Sequence, residues 1–316
     1  MSVVVLAGGV GAARFLHGLL SVVDPETVTA IVNTGDDTVL HGLSISPDLD
    51  TITYTLADAI DPDRGWGLAG ETWTTMDALE RYAQIRPDDS DAAPCWFNLG
   101  DRDLATHMYR TARLAESATL TEVTDEIRRA WALPCSVLPM TDQRRSTVID
   151  TVDHGEISFQ DYFVRLGHSV AVQAVRFDGE AELSATARTA LERADTIVIA
   201  PSNPLVSIGP IRSLSGVDDI LAERRDRVVA VSPIVGGVAL KGPADRMLVE
   251  LGHDASVAGV AALYSPVASA LVIDPVDADH AAGIGTAGME AVVTPSVMST
   301  PAIARELARA TLAAVS

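Results

Sequence analysis

The order of apolar runs along the chain limits its fold more than any other feature. Residues 3–6 and 28–32 are rich in β-branched side chains, and residues 14–22 between them have helical spacing. A strand, a helix and a strand within about 30 residues form a βαβ unit, whose strands pair in parallel through a right-handed crossover. The start of the chain therefore predicts an α/β protein.

The same alternation returns in the second half of the chain. Two of the later strands end in proline-containing turns, Pro201-Ser202-Asn203-Pro204 and Pro233. Parallel strands bring such turns to one sheet edge, where ligands of open α/β sheets bind. We predict a Rossmann-like, mostly parallel sheet between two helical layers. The expected strands are 196–200, 228–232, 270–273 and 291–294, and the expected helices are 216–223 and 301–315.

Residues 65–140 have a different character. Strand signals become sparse, and Trp66, Trp73 and Trp96 lie in the first half of the segment. Helices are expected at 104–114 and 120–132, the second capped by Thr119 or Thr121. We predict a mainly helical insertion over the sheet edge. It divides a Rossmann-like nucleotide-binding core into residues 1–64 and 141–316.

The first strand runs into Gly8-Gly9-Val10-Gly11. Glycines between a strand and a helix let backbone N–H groups approach an anion, so this turn favours a phosphate ligand. The sequence lacks both the full dinucleotide spacing and the P-loop Lys-Ser/Thr pair, so neither of those mechanisms is supported. A tight turn without a ligand is the alternative.

Four aspartates follow the turn: Asp36, Asp37, Asp48 and Asp50. Carboxylates repel a phosphorylated ligand unless a hard cation such as Mg²⁺ bridges the two, so the pattern indicates a metal-dependent nucleotide enzyme. The alternative is that each pair, Asp36 with Asp37 or Asp48 with Asp50, only occupies turn or helix-cap positions, which aspartate favours. Farther along, His107 is expected to be a surface or partly buried helical histidine rather than a catalytic residue.

The net charge of −20 disfavours nucleic acids and anionic membranes as partners. No window of about 18 residues is free of charge, and the start of the chain lacks a basic n-region, so we expect no membrane-spanning helix, no signal peptide and a cytoplasmic location. Cys95 and Cys135 are far apart, and we expect a reduced pair without a structural role.

Several motifs occur in an order that closely resembles the 2-phospho-L-lactate transferase family of coenzyme F420 biosynthesis. The resemblance spans nearly the whole chain. It rests on Gly8-Gly9-Val10-Gly11-Ala12-Ala13-Arg14-Phe15, Asn33-Thr34-Gly35-Asp36-Asp37, His41-Gly42, Ser46-Pro47-Asp48-Leu49-Asp50-Thr51, Asp61-Pro62-Asp63-Arg64-Gly65-Trp66-Gly67, Leu99-Gly100-Asp101-Arg102-Asp103-Leu104-Ala105-Thr106-His107, Leu138-Pro139-Met140-Thr141-Asp142, Phe159-Gln160-Asp161-Tyr162, Ala200-Pro201-Ser202-Asn203-Pro204, Ser207-Ile208-Gly209-Pro210-Ile211 and Ser232-Pro233-Ile234-Val235-Gly236-Gly237.

The resemblance implies a reaction. The family joins the deazaflavin 7,8-didemethyl-8-hydroxy-5-deazariboflavin (Fo) to the phosphorylated three-carbon acid of a guanosine diphosphate conjugate, with release of GMP. The acid is 2-phospholactate in archaeal members and phosphoenolpyruvate in actinobacterial ones. The segment around Trp66 and the run Trp96-Phe97-Asn98 are more similar to the latter. The family also implies Mg²⁺ and a homodimer.

The resemblance further implies roles for individual residues. Asp50 would orient or deprotonate the attacking hydroxyl, with Asp36 as the alternative, and Arg102 would neutralise the phosphate or the acid. Two departures are that alanines follow Gly11 and that Asn98 stands where some members have lysine. The implied metal ligands are Asp36, Asp37, Asp48 and Asp50; the Fo site would comprise Asp48, Asp50, Trp66, Trp96 and Asn98; and the nucleotide site would comprise Gly8, Gly9, Gly11, Asn33, Ser202, Asn203, Pro204, Ser207 and Gly209.

Two other classes share the glycine turn. A Rossmann-type oxidoreductase needs GxGxxG and an acidic residue about 20 residues later, and neither is clearly present. A non-catalytic nucleotide-sugar-binding protein of the same fold is the better alternative, although such proteins usually lack the pieces Asp48-Leu49-Asp50 and Gly100-Asp101-Arg102-Asp103 retained here.

Overall fold

The structure is a computed structural model that describes residues 1–315. Its strands are β1 (Val3–Ala7), β2 (Val28–Val32), β3 (Thr38–Leu40), β4 (Leu43–Ile45), β5 (Ser136–Pro139), β6 (Ser146–Thr151), β7 (Gly155–Ser158), β8 (Val172–Asp178), β9 (Thr196–Ile199), β10 (Val228–Val231), β11 (Ile234–Val235), β12 (Val238–Ala239), β13 (Ala270–Ile273) and β14 (Glu290–Val293). Its α-helices are α1 (Gly9–Leu20), α2 (Pro47–Leu56), α3 (Thr74–Ala83), α4 (Asp103–Ala115), α5 (Leu120–Ala130), α6 (Ala185–Arg193), α7 (Gly209–Arg212), α8 (Val217–Glu223), α9 (Ala244–Glu250), α10 (Val257–Tyr264), α11 (Ala281–Thr286) and α12 (Pro301–Ala313).

A seven-stranded sheet in the order β14-β13-β10-β9-β1-β2-β5 forms the centre of the described chain. All neighbouring strands are parallel, and β1 pairs with both β2 and β9. Helices α1, α2 and α12 pack apolar side chains on one face, and α6, α8 and α10 on the other. The predicted three-layer, Rossmann-like α/β fold is confirmed.

Helix α1 differs from its prediction at its start. We expected a helix from residue 14, but α1 begins at Gly9 and includes Gly11. A Cβ on Gly11 would lie 2.2 Å from the carbonyl oxygen of Pro201. The glycines therefore let the first turn of α1 approach the loop after β9, where a larger residue would not fit.

The segment 65–140 contains α3, α4 and α5, as the predicted helical character requires. Thr119 caps α5 through a capping box with Glu122, which settles the choice between Thr119 and Thr121. The end of the segment is a strand and not a helix. This strand, β5, pairs with β2 and forms an edge of the central sheet.

Helix α2 and the sheet of β7, β6 and β8 were not predicted. Helix α2 starts at Pro47, so Asp48 and Asp50 lie in its first turn rather than in a loop. Strands β7, β6 and β8 form a separate antiparallel sheet after β5. The core therefore carries a small antiparallel addition as well as the helical segment.

The two cysteines are free, and Cys135 is fully buried in the core. Within residues 1–315, no helix has both the length and the apolar character needed to cross a membrane.

The contact between α1 and α12 generates a stability prediction. A Cβ on Gly18 of α1 would lie 2.6 Å from the carbonyl oxygen of Ala304 in α12. Gly18→Ala should therefore force the helices apart and lower the free energy of unfolding by about 1–3 kcal/mol. Chemical denaturation measures this. The control is Gly283→Ala in α11, where a Cβ has nothing within 4 Å. Unchanged stability in Gly18→Ala would contradict the close contact.

Candidate active site

The loops after β1 and β9 meet at the carboxyl edge of the sheet. A Cβ on Gly8 would lie 2.9 Å from Oδ2 of Asp48 and 2.9 Å from Cβ of Ser207. The Ser202 hydroxyl donates a hydrogen bond of 2.7 Å to the carbonyl oxygen of Gly8. The glycine turn, the first turn of α2 and the loop after β9 thus converge on one place.

Asn33, directly after β2, joins two of the predicted aspartates. Its Nδ2 donates to Oδ2 of Asp36 at 3.1 Å and to Oδ2 of Asp48 at 3.0 Å, while its Oδ1 accepts from the Gly35 N–H at 2.8 Å. The side chain of Asn33 is fully buried. Asn33 therefore orients two carboxylates beside the glycine turn, and its nucleotide-binding role stays a prediction.

The surroundings of Asp36 and Asp48 oppose their ionisation. Burial raises the pKa of Asp48 to about 6, although hydrogen bonds from Asn33 and the Gly9 N–H act in the other direction. Burial and the charge of Asp48 raise the pKa of Asp36 well above its ordinary range. Oδ1 of Asp36 is buried and lacks a hydrogen bond of good geometry, although the Thr147 side chain lies close enough to lower the pKa of Asp36. A proton or a cation would relieve this arrangement.

Asp37 extends the same cluster. Its Oδ2 accepts a hydrogen bond of 2.6 Å from the Ser46 hydroxyl. Burial raises the pKa of Asp37 to about 8, and the charges of Asp50 and Asp48 contribute to the increase. The four aspartates predicted as metal ligands therefore lie close enough to influence one another.

Asp50 is held by a residue that the sequence analysis missed. Both terminal nitrogens of Arg110, in α4, bond to the Asp50 carboxylate, with an Nη1–Oδ2 distance of 3.1 Å. Arg110 is almost fully buried, at 1% exposed. This ion pair fixes the orientation of Asp50 and ties α4 to the aspartate cluster.

His107 lies between two carboxylates. Its Nδ1 is 3.6 Å from Oδ2 of Asp50, and its Nε2 is 3.3 Å from Oδ2 of Asp103. The Tyr54 hydroxyl donates to Oδ1 of Asp103 at 2.5 Å. Ligand atoms of Asp50, Asp103 and His107 all lie within 4.8 Å of one another, an arrangement that can hold a metal ion.

The expectation that His107 is a surface or partly buried residue is wrong, because its side chain is only 1% exposed. Asp103, His107 and Arg110 are spaced four and three residues apart, which places them on one face of α4. That spacing is the sequence signal that could have identified them. Gln160 was also given no role, yet its Nε2 donates to the carbonyl oxygen of Asp36 at 2.8 Å.

Arg102 holds a neighbouring loop. Its Nη1 donates to the carbonyl oxygen of Ala69 at 2.6 Å, and its backbone N–H donates to Oε2 of Glu71 at 2.9 Å. The side chain is exposed. A role for Arg102 toward the phosphate stays a prediction, and its contacts here connect the start of α4 to residues 69–71.

The two tryptophans predicted for Fo belong to separate aromatic pairs. Trp66 is 44% exposed and lies 6.1 Å from Trp73, with the Arg64 guanidinium 5.3 Å from the Trp66 ring. Trp96 meets Phe97 edge to face at 5.8 Å. Asn98, next to Phe97, is exposed. Their contact with a deazaflavin stays a prediction.

Within the loop after β9, Asn203 has local partners. Its Oδ1 accepts from the Leu205 N–H at 2.9 Å, and its carbonyl oxygen accepts from the Ser207 N–H at 3.0 Å. Pro204 is buried, and Gly209 begins α7 facing the Phe177 ring. These contacts shape the loop that the sequence assigns to guanosine, an assignment that stays a prediction.

Comparisons with known proteins agree with this architecture. The family model described as 2-phospho-L-lactate transferase CofD matches residues 3–294. A protein named phosphoenolpyruvate transferase from Kitasatospora aureofaciens is 38% identical over 320 residues, covering 99% of this chain and 97% of its own. The protein of that name from Streptomyces griseus is 39% identical, covering 97% of each chain.

A phosphoenolpyruvate transferase from Mycobacterium tuberculosis is 38% identical over 333 residues, covering 98% of this chain and 97% of its own. Among solved structures, a UPF0052 family member from Bacillus halodurans superposes with a TM-score of 0.63 at 14% identity. The match covers 98% of each chain. At that identity, the likeness supports the fold alone.

The neighbourhood of Arg102 generates a pH prediction. The hydroxyl of Thr72 and the N–H groups of Thr74 and Thr75 donate to Asp101, and these bonds hold its pKa below the ordinary 3.8. The carboxylate therefore stabilises the fold above pH 3.8, and this stabilisation is lost as the pH falls toward the folded-state pKa. Asp101→Asn should lower the melting temperature at pH 7.

The difference in melting temperature between Asp101→Asn and the wild type should become smaller as the pH is reduced below 4, approximately the ordinary aspartate pKa. Thermal unfolding followed by circular dichroism at several pH values measures it. Asp91→Asn, in an exposed loop, is the control. A melting-temperature difference that is independent of pH would contradict the proposed effect of the carboxylate charge.

Proposed function

The chain belongs to the 2-phospho-L-lactate transferase CofD family and is a transferase of coenzyme F420 biosynthesis, and we propose that its donor is enolpyruvyl-diphosphoguanosine. The acceptor is Fo, and the products are the dehydro form of coenzyme F420 without glutamates and GMP. The relatives from Kitasatospora, Streptomyces and Mycobacterium carry the name phosphoenolpyruvate transferase, which supports the enolpyruvyl donor over the lactyl one.

The observation that carries the proposal is the position of Asp48. Its carboxylate accepts from the Gly9 N–H at the start of α1 and from Nδ2 of Asn33. The Asp48 carboxylate therefore belongs to both parts of the site: it contacts the turn suited to a diphosphate, and it is one of the carboxylates suited to a cation. A site that only shaped a turn would not require buried Asp36 and Asp48 to face the same amide.

The aspartate cluster fits Mg²⁺. Asp36 and Asp48 present only oxygen ligands, and one buried oxygen of Asp36 lacks a hydrogen bond of good geometry. We assign the ion to Asp36 and Asp48, whose carboxylates face the same Asn33 amide, because Arg110 already pairs with Asp50. A bound Mg²⁺ ion would supply positive charge that offsets the negative charge of the carboxylates and the donor phosphates.

In the proposed transfer, the terminal ribityl hydroxyl of Fo attacks the phosphorus that bears the three-carbon acid. The bond from that phosphorus to the bridging oxygen breaks, GMP leaves with the oxygen, and the hydroxyl proton passes to the departing phosphate or to water. Such transfers depend mostly on positioning and charge neutralisation. Asp50 accepts the hydrogen bond of the attacking hydroxyl and directs its lone pair toward phosphorus.

Arg110 and His107 act through Asp50. With both terminal nitrogens on the Asp50 carboxylate, Arg110 prevents it from rotating. A carboxylate whose oxygens already accept from a guanidinium orients a hydroxyl better than it abstracts a proton. We therefore favour orientation over deprotonation as the role of Asp50.

The proposed reaction has a direct test. Purified protein with Fo, Mg²⁺ and enolpyruvyl-diphosphoguanosine should release GMP and form the dehydro coenzyme, detected by chromatography and mass spectrometry. The lactyl donor is tested in parallel, because it differs only in the acid. Faster turnover with the lactyl donor would overturn the donor assignment, and no GMP from either donor would favour the non-catalytic nucleotide-binding alternative.

The role of Asp50 predicts a selective loss of activity. Asp50→Asn keeps the shape of the side chain but removes the charge, and general acid–base or orienting carboxylates typically contribute about 10²–10⁴-fold to rate. We expect kcat to fall by about that factor. Asp77→Asn, in the exposed first turn of α3, is the matched control. Circular dichroism verifies folding, and near-normal kcat would transfer the role to Asp36, Asp37 or Asp48.

A further inference from the structure

The carboxyl edge of the sheet carries two cations that have no acidic partner. Within residues 1–315, neither Lys241 nor Arg14 takes part in an ion pair or a side-chain hydrogen bond. The chain has 43 acidic and 23 basic residues, so carboxylates are abundant. Lys241 and Arg14 therefore lack acidic partners because of where they lie, and not because carboxylates are scarce in the chain.

Lys241 lies near the start of α1. A Cβ on Gly65 would be 2.8 Å from Nζ of Lys241 and 3.6 Å from Cγ1 of Val10. The ammonium group therefore lies beside Val10, in the first turn of α1, and against the loop containing Gly65. Lys241 follows β12, in the segment that begins at the carboxyl end of β10.

Arg14 reinforces the positive charge there. It follows Val10 by four residues, so both occupy the same face of α1. Burial and the charge of Arg14 lower the pKa of Lys241. The N-terminus of a helix also carries a partial positive charge. Three positive contributions lie together in a protein with a net charge of −20.

The lysine itself is informative. Lys241 is the only lysine in the chain, and arginine supplies every other basic side chain. A lysine ammonium is a compact charge that can approach a single phosphate oxygen, whereas arginine binds through a planar fork. A narrow position against Gly65 suits the smaller cation.

We propose that Lys241, assisted by Arg14, binds the diphosphate of the guanosine-linked donor beside the N-terminus of α1. The inference rests on the proposed function and deepens it. Lys241 would neutralise the phosphate that leaves with GMP, while the aspartate cluster and its cation hold the phosphate that is transferred. Lys241 is thus a further binding residue of the same reaction.

The single lysine permits a direct test. Protein labelled with [ε-¹³C]lysine should give one lysine resonance in an NMR spectrum, and that resonance belongs to Lys241. We expect inorganic pyrophosphate and GDP, each with Mg²⁺, to shift it until saturation, and guanosine to leave it unchanged. A larger shift with phosphoenolpyruvate than with pyrophosphate would overturn the diphosphate assignment in favour of the acid.

Calorimetric titration of GDP into variants supplies the second measurement. Lys241→Gln should weaken GDP binding at least about tenfold, as expected for a lost charge-assisted contact, and Lys241→Arg should restore part of the affinity. The control is Arg193→Gln, an exposed arginine at the end of α6. Unchanged GDP affinity in Lys241→Gln would refute the inference.

The outcomes separate this inference from the proposed function. Pyrophosphate that shifts the Lys241 resonance in a protein that does not bind GDP supports the anion site and contradicts the guanosine-linked donor. GDP that binds without moving the resonance contradicts the role of Lys241 and leaves the proposed function standing. A resonance that neither ligand moves refutes the inference in every case.

Discussion

The side-chain amide of Asn33 is the interaction on which the site depends. It donates to two buried carboxylates at once, those of Asp36 and Asp48, and accepts from the backbone of Gly35. Burying two carboxylates together is unfavourable unless hydrogen bonds, a proton or a cation compensate. Asn33 supplies part of that compensation and holds the residues from β2 and α2 in register with the glycine turn. The remaining imbalance is the physical basis for assigning a cation to the site.

A second network connects the helical segment to this centre. Arg110 of α4 forms an ion pair with Asp50 of α2, and His107 of α4 lies beside the same carboxylate. The hydroxyl of Tyr54, also on α2, donates a hydrogen bond to Asp103 at the start of α4. Removing one member of a buried ion pair leaves an uncompensated charge, which typically costs about 3–5 kcal/mol. Helices α2 and α4 are therefore coupled by electrostatics, and α4 has a fixed relation to the aspartate cluster.

The sequence was sufficient for the elements whose signals are local. Strand β2 matches its predicted bounds, and β1, β9 and β10 end within one residue of theirs, because buried parallel strands read as continuous apolar runs. Helix α2 was missed because its first turn, with Pro47 at its start, resembles a loop motif. The proximity of the four aspartates was predictable because they cluster along the chain. Arg110 was not, since its burial depends on a partner sixty residues away.

The hydrogen bond from the Gly9 N–H to Asp48 has a consequence for ligand binding. The Asp48 carboxylate already accepts a hydrogen bond that the first turn of α1 would donate to the proposed phosphate, so the two anions would compete for one donor. A phosphate and this carboxylate can share the turn only when positive charge lies between them or a proton neutralises Asp48. In the proposed site, cation binding or protonation of Asp48 would therefore precede binding of the nucleotide phosphate.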